Sequence, residues 1–159
     1  MKKQYTAQEI AEYYINIANS EVIDEGGVCE SITNLKLQKI LYFAQAAHLS
    51  VYNKPLFKEE IEAWKFGPVV PSVYHKYKHL GNKPIEDIYP KLVLTEDLKT
   101  FLNSVWTIYG KFSAAELVEI THNHKPWKEA FYNNADKDNV VISQEYLKQH
   151  YKGYYHVEI

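Results

Sequence analysis

From Thr33 onward, apolar residues return every three to four positions, at Leu37, Ile40, Leu41, Ala44, Ala47 and Val51, with His48 on the same stripe. That period places them on one face of a helix, and Thr33 is suited to cap its start. If buried, each aliphatic on that face would contribute on the order of 1.5–3 kcal/mol. The segment is therefore expected to be the central core helix, and Asn53-Lys54-Pro55 ends it. Upstream, Thr6 and Glu9 have capping-box spacing and open a helix to about Ser20, with Ile10, Tyr14, Ile17 and Ala18 on one face. Glu25 to Ser31, containing Gly26-Gly27, reads as a loop.

Beyond Pro55 the period changes. Glu60 to Phe66 alternates, with Ile61, Ala63 and Lys65 on one side and Glu62, Trp64 and Phe66 on the other, which predicts a strand. Gly67-Pro68 is expected to turn the chain, and Pro71 to occupy the first position of a third helix. Val73, Tyr74, Tyr77 and Leu80 face inward there, and Gly81 closes it. Pro84 to Leu94 is irregular or extended. Thr95 caps a fourth helix with Leu98, Phe101, Leu102, Val105 and Tyr109 on its core face, ending at Gly110. Ser113 and Glu116 form a second capping box for a helix through Thr121. Pro126 opens another carrying Trp127 and Phe131, and Asn133 to Asn139 is a polar loop. Ser143 caps a last helix to about Tyr151, and the alternating tail Tyr154 to Ile159 is expected to add an edge strand beside Glu60 to Phe66.

These elements predict a mainly α (α+β) fold, a compact helical domain with a small antiparallel sheet or hairpin. No repeat, low-complexity tract or linker divides the chain, so residues 1–159 read as one domain without a separate DNA-binding unit. Fourteen tyrosines suit half-buried surfaces, and plating of the helices in a polar shell is the favoured explanation. All eighteen basic residues are Lys, and the net charge is −2. Without guanidinium forks, specific reading of DNA is disfavoured, although lysine contact with phosphate is not. A single cysteine, Cys29, supplies neither a disulfide framework nor a thiolate cluster. The start has no apolar segment of a secretory signal, and no run reaches the roughly 18 apolar residues of a membrane span. A soluble, cytoplasmic protein is expected.

Candidate chemistry is sparse. His75 and His79 have the spacing of two imidazoles on one helix, but Lys76, Tyr77 and Lys78 lie between them without the Glu of a metallopeptidase. His122 is placed to donate to the last carbonyls of its helix, and His48 reads as a satisfied core imidazole. Cys29 lies between Val28 and Glu30 in a Gly-rich acidic loop, where neighbouring acids would raise its thiol pKa. No serine sits in a nucleophile elbow and no glycine-rich loop cradles phosphate. Acidic pairs such as Glu59-Glu60 and Asp136/Asp138 look like solvated faces. The expectation is a chain without catalytic residues, metal or cofactor.

Four blocks, in order, carry a resemblance: TNLKLQKILYFAQ from Thr33, PLF from Pro55, EAWKFGPVVPSVY from Glu62 and FSAAELVEITHNHKPWKEAF from Phe112. Together they resemble the antitoxin SocA-like Panacea domain family, which includes phage-associated GepA-type proteins, over Tyr5 to about Tyr151. The resemblance implies a mostly helical domain, often encoded in prophages, that neutralises a cognate toxin by direct binding. A variant of that role delivers the toxin to a cytoplasmic protease. Some relatives carry a helix-turn-helix domain. The match begins within the first ten residues here, so no such domain is expected to precede it, and direct nucleic-acid binding is disfavoured.

The family's motif residues fall on Leu37, Lys39, Tyr42, Trp64, Gly67, Pro68, Val69, Pro71, Tyr74, His122 and Trp127. Structural duties are expected for Leu37, Trp64, Gly67, Pro68, Pro71, Tyr74, His122 and Trp127. Lys39 and Tyr42, polar on a helix otherwise apolar, are the partner-contact candidates, with Lys65 and Val69 beside the Gly67-Pro68 turn. The alternative is a phage-encoded regulator or a His-dependent enzyme using His48 or His122 in a pocket.

Overall fold

The computed structural model describes residues 3–24, 31–134, 137 and 139–155. The chain is mainly helical with a small antiparallel sheet. Helix α1 spans Ala7–Asp24, a turn longer than its sequence pattern suggested. Its capping box is formed, since Thr6 Oγ1 accepts the Glu9 N–H at 3.1 Å while the Thr6 N–H reaches Glu9 Oε1 at 3.2 Å. Helix α2 spans Asn34–Tyr52 and is capped by Thr33, whose hydroxyl accepts the Lys36 N–H. It ends at Asn53 in the left-handed region, with the Asn53 N–H on the Leu49 carbonyl.

Burial of α2 exceeds what its stripe implied: every residue from 37 to 47 is buried. Helices pack around it on several sides, and a helix without a solvent face must satisfy its polar side chains internally. Gln45 shows how. Its Oε1 accepts the Leu56 N–H at 2.7 Å and the Phe57 N–H at 3.4 Å, while its Nε2 donates to the Phe57 carbonyl at 2.8 Å. The connection after α2 is thereby laid back against the helix it leaves.

That connection leads into β1, Ile61–Trp64, the centre of the sheet. β2, Gly67–Val69, pairs with it antiparallel, Trp64 opposite Gly67 and Glu62 opposite Val69. The turn is thus Lys65-Phe66, and the expectation that Gly67-Pro68 makes it is corrected. Both residues belong to the strand. Gly67 has φ +105 and takes the left-handed step that neither Lys65 nor Phe66 adopts. Pro68 lacks an N–H but lies on an edge strand, where one is dispensable. On the other edge stands β3, Val140–Ile142, with Ile142 opposite Ile61. The third strand is therefore this segment. Three residues are too short to show a period. Residues 156–159 of the expected tail strand lie outside the described residues, and Tyr154 and Tyr155 form a turn and a bend.

Helix α3, Pro71–Tyr77, starts on its proline and runs into a 3-10 turn, Lys78–Leu80, closed by Gly81. Residues 85–95 are irregular as expected, pinned by Ile85, which is buried and bonds the Ile32 carbonyl at 2.8 Å. Thr95, Ser113 and Ser143 cap α4 (Glu96–Tyr109), α5 (Ala114–His122) and α7 (Gln144–His150), the middle one with a complete capping box. Helix α6 spans Lys125–Tyr132. The tyrosines are less peripheral than expected: Tyr14, Tyr42, Tyr77, Tyr109 and Tyr151 are buried. Phe43 of α2 stacks on Tyr109 of α4 at 4.0 Å, and the Tyr42 hydroxyl bonds that of Tyr151 at 2.9 Å, tying α4 and the end of α7 to the central helix.

Gln45→Leu keeps the volume but leaves the 56–57 backbone groups unpaired in the interior. We expect it to lower the unfolding free energy by at least about 2 kcal/mol, measured by urea denaturation at neutral pH.

Candidate partner-binding site at the hairpin tip

Two short strands joined by a turn are marginal alone, and here side chains from both flanks hold the β1–β2 hairpin by its backbone. From α2, Gln38 Oε1 accepts the Val70 N–H at 2.8 Å and Lys39 Nζ donates to the Pro68 carbonyl at 3.0 Å. Asn34 holds the Gln38 amide through its Oδ1 at 2.9 Å and donates through Nδ2 to the Tyr74 carbonyl of α3 at 3.2 Å. From the opposite flank, the Trp127 indole N–H donates to the Trp64 carbonyl at 2.7 Å and His122 Nε2 to the Lys65 carbonyl at 3.2 Å. The His122 ring stacks on Trp127 at 4.0 Å, so both donors are aimed together.

Lys39 is the unusual member. It has no exposed surface, and the Pro68 carbonyl is its hydrogen-bond acceptor. Burial penalises the ammonium form and lowers its pKa from 10.5 to about 7. Its chain runs directly under Gly67, where an added Cβ would lie 2.6 Å from Lys39 Cε and 2.9 Å from Thr121 Oγ1. Glycine is required at 67 for space as well as for φ.

On the outer side, the start of α2, the hairpin and the α3 turn enclose a groove of about 310 Å³. Gln38 and Lys39 underlie it, and Trp64 and Tyr74 form one wall with their rings edge-on at 4.8 Å. Phe66, at the hairpin turn, is 61% exposed, and Leu35 is 38% exposed. Lys65 Nζ lies 5.5 Å from the Phe66 ring centroid, and Lys78 stands at the rim. No carboxylate is among the groove's lining residues; the nearby Glu62 receives the Trp64 indole N–H at 3.0 Å.

The expected site residues therefore divide. Trp64, Lys65, Gly67, Pro68, Val69, Tyr74, His122 and Trp127 converge on the hairpin, with Pro71 opening the helix after it. Leu37 is core. Lys39 and Tyr42 are corrected as surface contacts, because both are fully buried: one grips Pro68 and the other bonds Tyr151. Val69, only 5% exposed, contributes little area, whereas Lys65 is exposed. His122 bonds the hairpin and not the carbonyls of its own helix. The large exposed side chains, Phe66 and Leu35, went unmarked as contacts in the sequence, because Phe66 read as the end of a strand and the turn was expected one residue later.

His48 and His124 have structural partners. His48 donates through Nδ1 to the Lys54 carbonyl at 2.6 Å and packs against Tyr52 and Phe101. His124 Nδ1 is hydrogen-bonded to the Tyr151 hydroxyl at 2.7 Å. Neither His48 nor His122 lines this groove or a second one of about 260 Å³ beside β3 and α7. His75 and His79 are exposed, and the second falls in the 3-10 turn, off the α-helix that the spacing assumed. Among the described residues no cluster of three or more His, Cys, Asp or Glu could hold a metal ion. Cys29, Asp136 and Asp138 lie outside them. No helix of the described residues is long and apolar enough to cross a membrane.

Comparison with known proteins places these residues in context. The model of the family described as Antitoxin SocA-like, Panacea domain matches residues 37–128, more than half of the chain. That stretch starts on Leu37 and ends just after Trp127, enclosing the hairpin and nearly all of its anchors. Antitoxin SocA from Caulobacter vibrioides (strain NA1000 / CB15N) is similar at 37% identity over 109 residues, which cover 60% of this chain and 58% of that protein. No solved structure matches.

Between about pH 7 and 10.5 the unfolded chain carries a proton on Lys39 that the folded chain lacks, so stability rises with pH through this window, by up to about 1.4 kcal/mol per unit. Urea denaturation at several pH values from 7 to 9 should show this slope in the wild type and its loss in Lys39→Met. Burial also lowers the pKa of His48, His122, His124 and His150; their contribution is complete above about pH 6.5 and is lost as pH falls below it. Gly67→Ala, strained in φ and crowded by Lys39, should cost at least about 1 kcal/mol in the same assay.

Proposed function

Because the chain belongs to the antitoxin SocA-like Panacea family, we propose that it is a non-enzymatic antitoxin that neutralises a partner toxin protein by binding it with the hairpin-tip face. The observation that carries this reading is the exposed pair Phe66 and Leu35 beside the half-buried rings of Trp64 and Tyr74, at a hairpin fastened through its backbone from two sides. Aromatic anchors on a rigid support lose little conformational entropy on docking, and such residues carry most of the binding energy in protein interfaces. The name of the relative from Caulobacter supports a toxin as the class of partner.

A second use of the same contact, delivery of the toxin to a protease, leaves the binding chemistry unchanged. It differs in consequence, since the toxin's half-life would then shorten when the antitoxin is present.

The test is coexpression with the product of an adjacent gene that arrests growth when expressed alone. Growth should be restored and the two proteins should copurify. Phe66→Ala combined with Leu35→Ala should weaken the complex by about 2 kcal/mol or more while leaving the thermal midpoint nearly unchanged. Wild-type protein that neither rescues growth nor copurifies would overturn the reading.

A further inference from the structure

The groove beside Phe66 has a charge bias that runs against the rest of the molecule. The chain carries twenty acidic residues against eighteen lysines. The eleven residues lining the groove include Lys39, Lys65 and Lys78 and no acid. Lys65 and Lys78 are exposed, so their ammonium groups reach any occupant from the rim. Between these cations the walls are aromatic and aliphatic: Trp64, Phe66, Tyr74 and Leu35. Its volume of about 310 Å³ suits one or two side chains of a partner and no larger body.

We infer that the groove takes an acidic segment of a protein partner, seating an aromatic or leucine side chain between Trp64 and Phe66 while flanking carboxylates meet Lys65 and Lys78. The inference rests on the toxin-binding reading and adds the chemistry of the element recognised. A nucleic acid is disfavoured as the occupant. The chain has no arginine to fork a phosphate, and its net charge of −2 gives it no overall attraction for a polyanion.

The recognition can be read without knowing the toxin. Short random peptides displayed on phage are selected against the full chain and against the double variant Lys65→Glu/Lys78→Glu, whose thermal midpoint should match the wild type because both positions are exposed. The wild type should enrich peptides with Asp or Glu flanking Phe, Trp or Leu. The double variant should lose them, with binding weakened on the order of tenfold and its salt dependence flattened. Neutral or basic peptides, or acidic ones indifferent to the double variant, would overturn the inference. A single-stranded oligonucleotide that binds the wild type and not the double variant would reassign the groove to nucleic acid. A toxic adjacent gene product, tested for binding to the wild type and to the double variant, serves as the separate arm. If it binds both proteins equally, the antitoxin reading stands and the acidic segment falls. If the acidic peptides bind and the toxin does not, the reverse holds.

Discussion

The middle of α2 has no solvent face, and this constraint governs much of what surrounds it. A polar side chain in that position cannot turn to water, and leaving it unpaired costs about 1–3 kcal/mol. Gln38, Lys39, Tyr42 and Gln45 are all buried there, and every buried polar side-chain atom among the described residues has a partner. Those partners are mostly backbone groups that no helix or strand ladder uses. Gln45 fixes the exit of its own helix, Gln38 and Lys39 fix the hairpin, and Tyr42 fixes the end of α7. The helix thus specifies the paths of irregular segments as well as the packing of regular ones.

This explains why some parts of the fold were legible in the sequence and others were not. Caps are local chemistry, and Thr6, Thr33, Thr95, Ser113 and Ser143 each bond a backbone N–H three residues on. The apolar stripe of α2 was equally plain. Its opposite face was not, because burial of Gln38 or Lys39 depends on segments thirty positions away that close over it. The same distance hid the destination of His122, whose place at a helix end suggested a local bond while the hairpin offered another. The turn was displaced by two residues because Gly-Pro usually marks a turn, whereas here glycine supplies the first step of a strand. At the candidate site Lys39, His122 and Trp127 were legible as family motif residues, although Lys39 read as a contact and not a support, whereas Gln38, Asn34 and the exposed Phe66 and Leu35 were not.

The division between support and contact also bears on how one fold serves different partners. The anchors act on the carbonyls and N–H groups of Trp64, Lys65, Pro68 and Val70, which any side chain at those positions would present equally. The hairpin's shape is therefore insulated from the identity of the residues at its tip. Side chains at positions 65 and 66 can vary without loosening the frame that displays them, and binding functions are readily altered on such frames.

Lys39 and Gly67 form a pair in which tolerance to change runs in one direction. Shortening the lysine would remove the atom 2.6 Å from a side chain at 67, but a backbone φ of +105 would still exclude one there. Introducing the side chain first meets the lysine and the strained backbone together. In the drift of related sequences the lysine can give way before the glycine, while the glycine can change only in a hairpin that has already adopted another turn. A relative without glycine at this position would thus carry a differently shaped groove, and on the proposed reading a different choice of partner.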